Sequence, residues 1–106
     1  MIEDSKISLI VSKIKTQFDP DKIILFGSFA AGNQNDDSDL DLLIVKDTDL
    51  PIHQRSNEIR FQLIGSMIPM DILVYTKEEF EHEKNQKYSF LFKALKNSKK
   101  LYERKN

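Results

Sequence analysis

Cysteine is absent from the 106 residues. That single absence removes disulfides, thiolate zinc sites and a thiol nucleophile together, and it fits a reducing cytoplasm. A dominant charge is missing too. Sixteen basic against seventeen acidic residues leave a net charge of -1, so no global field points to DNA, RNA or an acidic membrane surface. No apolar run approaches the roughly 20 residues that span a bilayer. The opening Met1-Ile2-Glu3-Asp4-Ser5-Lys6 begins acidic and lacks the continuous apolar core of a secretory leader. Internal repeats and low-complexity segments are also lacking. What remains, 40% hydrophobic and 31% charged, is an ordinary globular composition. The length predicts one domain over residues 1–106.

The stretch Phe26 to Asp41, F-G-S-F-A-A-G-N-Q-N-D-D-S-D-L-D, organises the rest. Lys22 to Phe26 is short, β-branched in its first half and apolar, as a strand buried on both faces should be. Gly27 ends it. Ser28-Phe29-Ala30-Ala31 can form a brief helical turn closed by Gly32, and Asn33 to Ser38 is a loop rich in turn formers. Leu40 to Val45 reads as a second strand and Met70 to Tyr75 as a third.

Helices are expected around these strands. Ile7, Ile10, Val11, Ile14 and Phe18 recur at helical spacing, so a first helix over about Asp4 to Gln17 is predicted, stopped by Asp19-Pro20. Pro51 suits the start of a second, with Ile52, Ile59, Leu63 and Ile64 as its apolar side and Gly65-Ser66 as its end. Thr76 with Glu79 forms a capping box for a third. Glu81 to Lys87 reads as a charged face or connector. Phe90, Leu91, Ala94 and Leu95 give a last helix its apolar residues, and Leu101-Tyr102 docks back before a charged tail. The expected class is α/β (α+β): a short mixed sheet of three strands or slightly more, flanked by about four helices, with one face of the sheet partly open.

The chemistry lies in carboxylates. Side chains alternate along a strand, so Asp39, Asp41 and Leu43 share one face while Leu40, Leu42 and Ile44 enter the core. Two residues along a strand lie roughly 6.5–7 Å apart, a separation from which carboxylates can converge on one hard cation or bridge a close pair. Their mutual repulsion needs a cation or ample water. Asp71, between core-facing Met70 and Ile72, joins them if the third strand lies beside the second. Such a triad suits magnesium. Gly27 lets a phosphate approach its backbone closely, and Ser28 adds a hydroxyl and an N–H at the start of a helical turn. Singly, each signal has a plain alternative: a turn, a solvated strand edge, a surface aspartate. Their joint occurrence in order, on expected strands, separates them from coincidence.

The run Gly27-Ser28-Phe29-Ala30-Ala31-Gly32, followed by Ser38-Asp39-Leu40-Asp41-Leu42-Leu43-Ile44-Val45, resembles the signature of the polymerase-β-like nucleotidyltransferases, and within them the minimal nucleotidyltransferase group. The resemblance covers nearly the whole chain. It implies that Gly27, Ser28 and Ser38 bind the nucleotide, ATP. It implies that Asp39, Asp41 and Asp71 are catalytic and hold magnesium in a two-metal site, with Asp71 helping to deprotonate the attacking hydroxyl. It departs in one place: many members carry arginine where Ala31 stands, so a cation near the phosphates is missing. Members of this group resemble antitoxins encoded beside a HEPN-domain ribonuclease, which implies AMP transfer to a tyrosine of that toxin and an assembly with it. The size of the chain agrees, because it leaves no room for the helical domain that builds an acceptor pocket in larger relatives. Two other functions compete: an antitoxin that neutralises its partner by binding alone, and transfer to a small molecule such as an aminoglycoside.

His53 and His82 are expected on the surface, far in sequence from any second soft ligand. Lys84, Lys87 and Tyr88 could reach a nucleotide or could equally form a solvated helix face. Phe29 packs by default, with exposure to a partner as the alternative. The basic run Lys93, Lys96, Lys99, Lys100, Arg104 and Lys105 is read as solvated rather than as an RNA contact.

Overall fold

The computed structural model describes residues 4–35 and 38–105. Met1 to Glu3, Asp36-Asp37 at the centre of the polar loop, and Asn106 lie outside the described residues. Four strands form one mixed sheet: β1 (Lys22–Phe26), β2 (Leu40–Val45), β3 (Met70–Tyr75) and β4 (Lys99–Glu103), in the order β3-β2-β1-β4. β1 runs antiparallel to β2 and to β4, whereas β2 and β3 are parallel. Among the described residues, five α-helices accompany them: α1 (Asp4–Phe18), α2 (Gly27–Ala31), α3 (Asn57–Gln62), α4 (Lys77–Glu83) and α5 (Phe90–Leu95).

The alternation along the strands divides the apolar residues into two clusters. Ile23, Leu25, Leu40, Leu42, Ile44, Ile72 and Val74 face Ile10 and Ile14 of α1 and Ile59 of α3. On the other face, Ile24, Phe26, Leu43, Val45 and Tyr75 meet Phe80 of α4 and Leu91 of α5. The second face is covered only in part: beyond Leu43 towards the start of β2 the same face carries Asp41, half-buried, and exposed Asp39. Phe29 enters the first cluster, which is its packing role rather than its partner-facing one.

Termini of the elements follow local chemistry. Asp19 adopts φ 46° after α1, and Arg104, just beyond β4, pairs with Asp19 and Asp21 at 3.4 and 3.5 Å, so one arginine secures the turn from α1 into β1. Gly32 closes α2 in the left-handed conformation that a Cβ disfavours. The Thr76 hydroxyl accepts from Glu79 N at 3.1 Å and Glu79 Oε1 accepts from Thr76 N at 2.9 Å, the reciprocal capping box expected for α4.

Three expectations are revised. The tail does not merely dock through Leu101-Tyr102; it is a fourth strand on the outer edge of β1, with a register shift opposite Ile23/Ile24. The segment 51–66 is not one amphipathic helix but a 3-10 turn at Ile52–Gln54, α3, and a second 3-10 turn at Ile64–Ser66. Its breaks change the facing of each piece, so Ile59 and Leu63 are buried while Ile52 and Ile64 stand exposed. Phe90 is likewise not a core residue: α5 begins with it, and Leu91 rather than Phe90 turns inward.

Candidate active site

The strand register builds the site. Asp41 lies opposite Phe26 on β1 and in register with Asp71 on β3. In-register residues of neighbouring strands point to one face, so the parallel pairing of β2 with β3 sets Asp71 beside Asp41. Asp39, one residue before β2, is two steps back along the chain on the side of Asp41. Burial pushes the Asp41 carboxyl above its ordinary value, and the charges of Asp71 and then Asp39 push it the same way. Asp41 thus feels the charge of both Asp71 and Asp39 at the open end of the sheet.

Gly27 completes the arrangement for a reason beyond the expected one. Its φ is +75°, a conformation costly for any residue with a Cβ. A Cβ there would collide with Asp41 Oδ2 and stand 3.0 Å from Asp41 Cγ. The glycine therefore lets the Asp41 carboxylate lie against the end of β1, in addition to whatever approach it allows a phosphate. Ser28 follows, half-buried; its carbonyl accepts from Asn33 N at 3.1 Å and from Gly32 N. Ser38 turns the loop before Asp39: its hydroxyl accepts from Asn35 N at 2.9 Å, and its own N–H donates to Asn35 O at 3.1 Å. Ala31 is exposed on the last turn of α2.

Two arginines that sequence reasoning passed over shape the surroundings. Arg60 of α3 spans the outer edge of β3. Its Nη2 donates to Asp71 Oδ1 at 3.1 Å, its Nη1 to Met70 O at 3.2 Å, and its Nε to Ser56 Oγ at 3.2 Å. Asp71 thus has a counter-ion, whereas Asp41 has two like charges as neighbours. Arg55 binds both oxygens of Glu79, at 2.6 and 3.1 Å, and donates to Leu50 O at 2.8 Å, joining the 3-10 turn to α4. The contacts span 11 and 24 residues of chain, and no local pattern marks either arginine in the sequence.

The donors fit a hard divalent cation in kind: carboxylate oxygens on one face with unbalanced negative charge. Among the described residues, no three His, Asp or Glu side chains are gathered closely enough to hold one ion as they stand. The ion pair of Asp71 with Arg60 accounts for one carboxylate that is turned to another partner. Lys84 pairs with Glu81, and Lys87 Nζ lies 5.9 Å from the centre of the exposed Tyr88 ring. His53 and His82 are exposed. Nearer Asp41, the Phe90 ring meets Phe26 edge-on, with centroids 5.8 Å apart.

A mixed sheet whose first hairpin ends on a glycine turn against an Asp-x-Asp strand defines a nucleotidyl-transfer domain. The chain belongs to the polymerase beta nucleotidyltransferase family, whose pattern matches residues 8–106. It is 43% identical over 51 residues to a protein from Methanocaldococcus jannaschii named "putative protein adenylyltransferase". That alignment covers 46% of this chain and 51% of the relative, so it spans about half the relative's length. The fold matches the crystal structure of "a putative nucleotidyltransferase" from Sulfolobus solfataricus with a TM-score of 0.66, covering 94% of this chain and 79% of that one at 21% identity. Among the described residues, no helix is long and apolar enough to cross a membrane.

Proposed function

We propose that this protein is a magnesium-dependent nucleotidyltransferase that transfers AMP from ATP to a hydroxyl, a tyrosine, of a HEPN-type toxin in the cytoplasm, and so acts as its antitoxin. The observation that carries the catalytic part is the register of Asp41 with Asp71, with Gly27 shaped to receive the Asp41 carboxylate. Magnesium, bound by Asp39, Asp41 and Asp71, would neutralise the triphosphate and the charge that develops on the transferring phosphoryl group. The chain's own residues supply the rest. The backbone at Gly27 and Ser28 holds the phosphates, and Ser38 presents the loop that precedes Asp39. Asp71 accepts the proton of the acceptor hydroxyl as its oxygen attacks the α-phosphorus. The bond from that phosphorus to the bridging oxygen breaks, and pyrophosphate leaves. Arg60 orients Asp71 through one carboxylate oxygen and leaves the other for this task.

A protein acceptor is favoured over a small molecule by the name of the M. jannaschii relative. The HEPN partner rests on the resemblance of the signature alone. The test is co-expression with a HEPN-type toxin, with partner mass read by intact mass spectrometry and protection read as cell survival. The wild type should add AMP and protect; a folded Asp39→Asn/Asp41→Asn variant should do neither. Protection by that variant with an unmodified partner would replace the enzyme with a binding antitoxin. Labelled ATP appearing on a small molecule instead would move the acceptor class.

A further inference from the structure

Phe90 is an exposed aromatic beside the carboxylates. It is 52% exposed, although its neighbour Leu91 is fully buried. One edge is supported: the ring meets Phe26 at a centroid distance of 5.8 Å and an interplanar angle of 84°. Phe26 is in turn the cross-strand partner of Asp41, and such partners on one face have Cβ atoms about 4.5–5.5 Å apart. Phe90 therefore stands one ring away from the Asp41 carboxylate. Its position is held firmly, because Ser89 Oγ donates to Glu83 O at 2.9 Å and accepts from Phe92 N at 3.0 Å. These bonds tie the start of α5 to the end of α4. Burial does not explain a ring left half in water at this point, since the core beneath it is filled by Phe26, Leu43 and Leu91.

We propose that Phe90 is the nucleobase platform of the site: the base of the bound nucleotide stacks on its free surface while the triphosphate lies over Gly27 and the Asp39 and Asp41 carboxylates. This assignment rests on the nucleotidyltransferase reading above. A base carries a flat π-surface whatever its identity, and stacking on an aromatic side chain strengthens binding by roughly one to two orders of magnitude. Phe90 and Asp41 share Phe26 as a neighbour, the ring at 5.8 Å between centroids and the carboxylate as cross-strand partner, which sets base platform and carboxylates side by side. Lys87, three residues before Phe90, brings a cation to the same loop. Stacking alone ignores base identity, so Phe90 raises affinity for ATP and GTP alike and selects nucleotide over bare polyphosphate.

The chain contains no tryptophan, so Phe90→Trp introduces a single fluorescent reporter at the proposed platform. In magnesium-containing buffer, ATP should quench its emission, whereas inorganic tripolyphosphate should leave it unchanged. By calorimetry, Phe90→Ala and Phe90→Leu should bind ATP about ten- to a hundredfold more weakly, keep tripolyphosphate affinity, and retain the wild-type circular dichroism. Phe90→Tyr should bind ATP as the wild type does. Unchanged Phe90→Trp emission at an ATP concentration that calorimetry shows to be saturating overturns the platform. So does wild-type ATP affinity in Phe90→Leu, which would leave the ring as a contact for an apolar side chain of a partner. Equal losses for ATP and tripolyphosphate would make Phe90 a structural residue, again overturning it. A wild-type protein that binds neither ligand overturns the nucleotidyltransferase reading itself, a result distinct from all three.

Discussion

One face of the sheet has two ends that differ sharply. At one end Leu43, Val45 and Tyr75 are sealed beneath Phe80 and Leu91. At the other, two residues back along β2, Asp41 sits half-buried beside Asp71, with Asp39 exposed next to it. The strands are the same and so is the alternation. The helices make the difference, because Phe80 of α4 and Leu91 of α5 seal the first end, whereas only the half-exposed Phe90 of α5 comes near the second. The dry end contributes stability and holds the strand register. The acid end spends some of that stability: its carboxylates repel one another, and Asp41 is pushed towards its protonated form.

Changes at the two ends should therefore have opposite signatures. The largest effect on activity is expected from Asp39→Asn/Asp41→Asn. The proposed AMP transfer, read as pyrophosphate release, should fall on the order of a thousandfold or more, since charge stabilisation of the transferring group is lost. Melting of the metal-free variant should be no lower than that of the wild type, because like charges have been removed. Leu43→Ala, at the dry end, should do the reverse. Truncating this fully buried side chain should cost about 2–5 kcal/mol, read by chemical denaturation, with the proposed magnesium-dependent ATP binding preserved below the melting transition. A Leu43→Ala protein that melts like the wild type would erase the distinction between the ends.

Gly27→Ala acts at the acid end itself, against Asp41. The left-handed backbone alone costs roughly 1–2 kcal/mol with a Cβ, and the methyl group must displace the Asp41 carboxylate. Both melting temperature and magnesium-dependent ATP binding should fall; a loss in stability alone would mean that Asp41 can shift without consequence. Glu79→Gln should have the smallest effect and leave the acid end untouched. The Arg55 hydrogen bond, then the Thr76 backbone, hold the Glu79 carboxyl below its ordinary value. The pair's stabilisation is therefore full above the unfolded value of 4.5 and drains as pH falls through the folded one. With Glu79 partly exposed and screened, the substitution should cost about 1 kcal/mol near neutral pH. The difference in melting temperature from the wild type should narrow as pH falls from 4.5 through the lowered folded value.

Much of the framework is legible in the residues. β1, β2 and β3 begin and end where composition and alternation place them, because each is a short apolar run between strong breakers. The Thr76–Glu79 box is visible because capping is local. β4 is harder to see: an edge strand pairs on one side and carries Lys99, Lys100 and Glu103, which look like a solvated tail until Lys100 and Glu103 meet at 2.7 Å. Segment 51–66 has helical spacing in its sequence, but tertiary packing breaks it into three pieces. The shared face of Asp39 and Asp41 follows from alternation within one strand. The place of Asp71 does not, since it depends on β3 lying parallel and in register with β2. Arg55 and Arg60 act across the chain and leave no local trace.

The strand order also bears on how the molecule assembles. β2 finds β1 across one short connection, and β3 joins β2 next, so the half of the sheet that bears the carboxylates can be built from neighbouring segments. β4 must return from Glu103 to Lys22, the longest loop closure in the sheet. Closing it is entropically the most expensive step and comes late when contacts form in order of separation. The carboxylate end then takes shape on a sheet whose far edge is still open, and the outer strand arrives last, with Arg104 fastening it to the turn before β1.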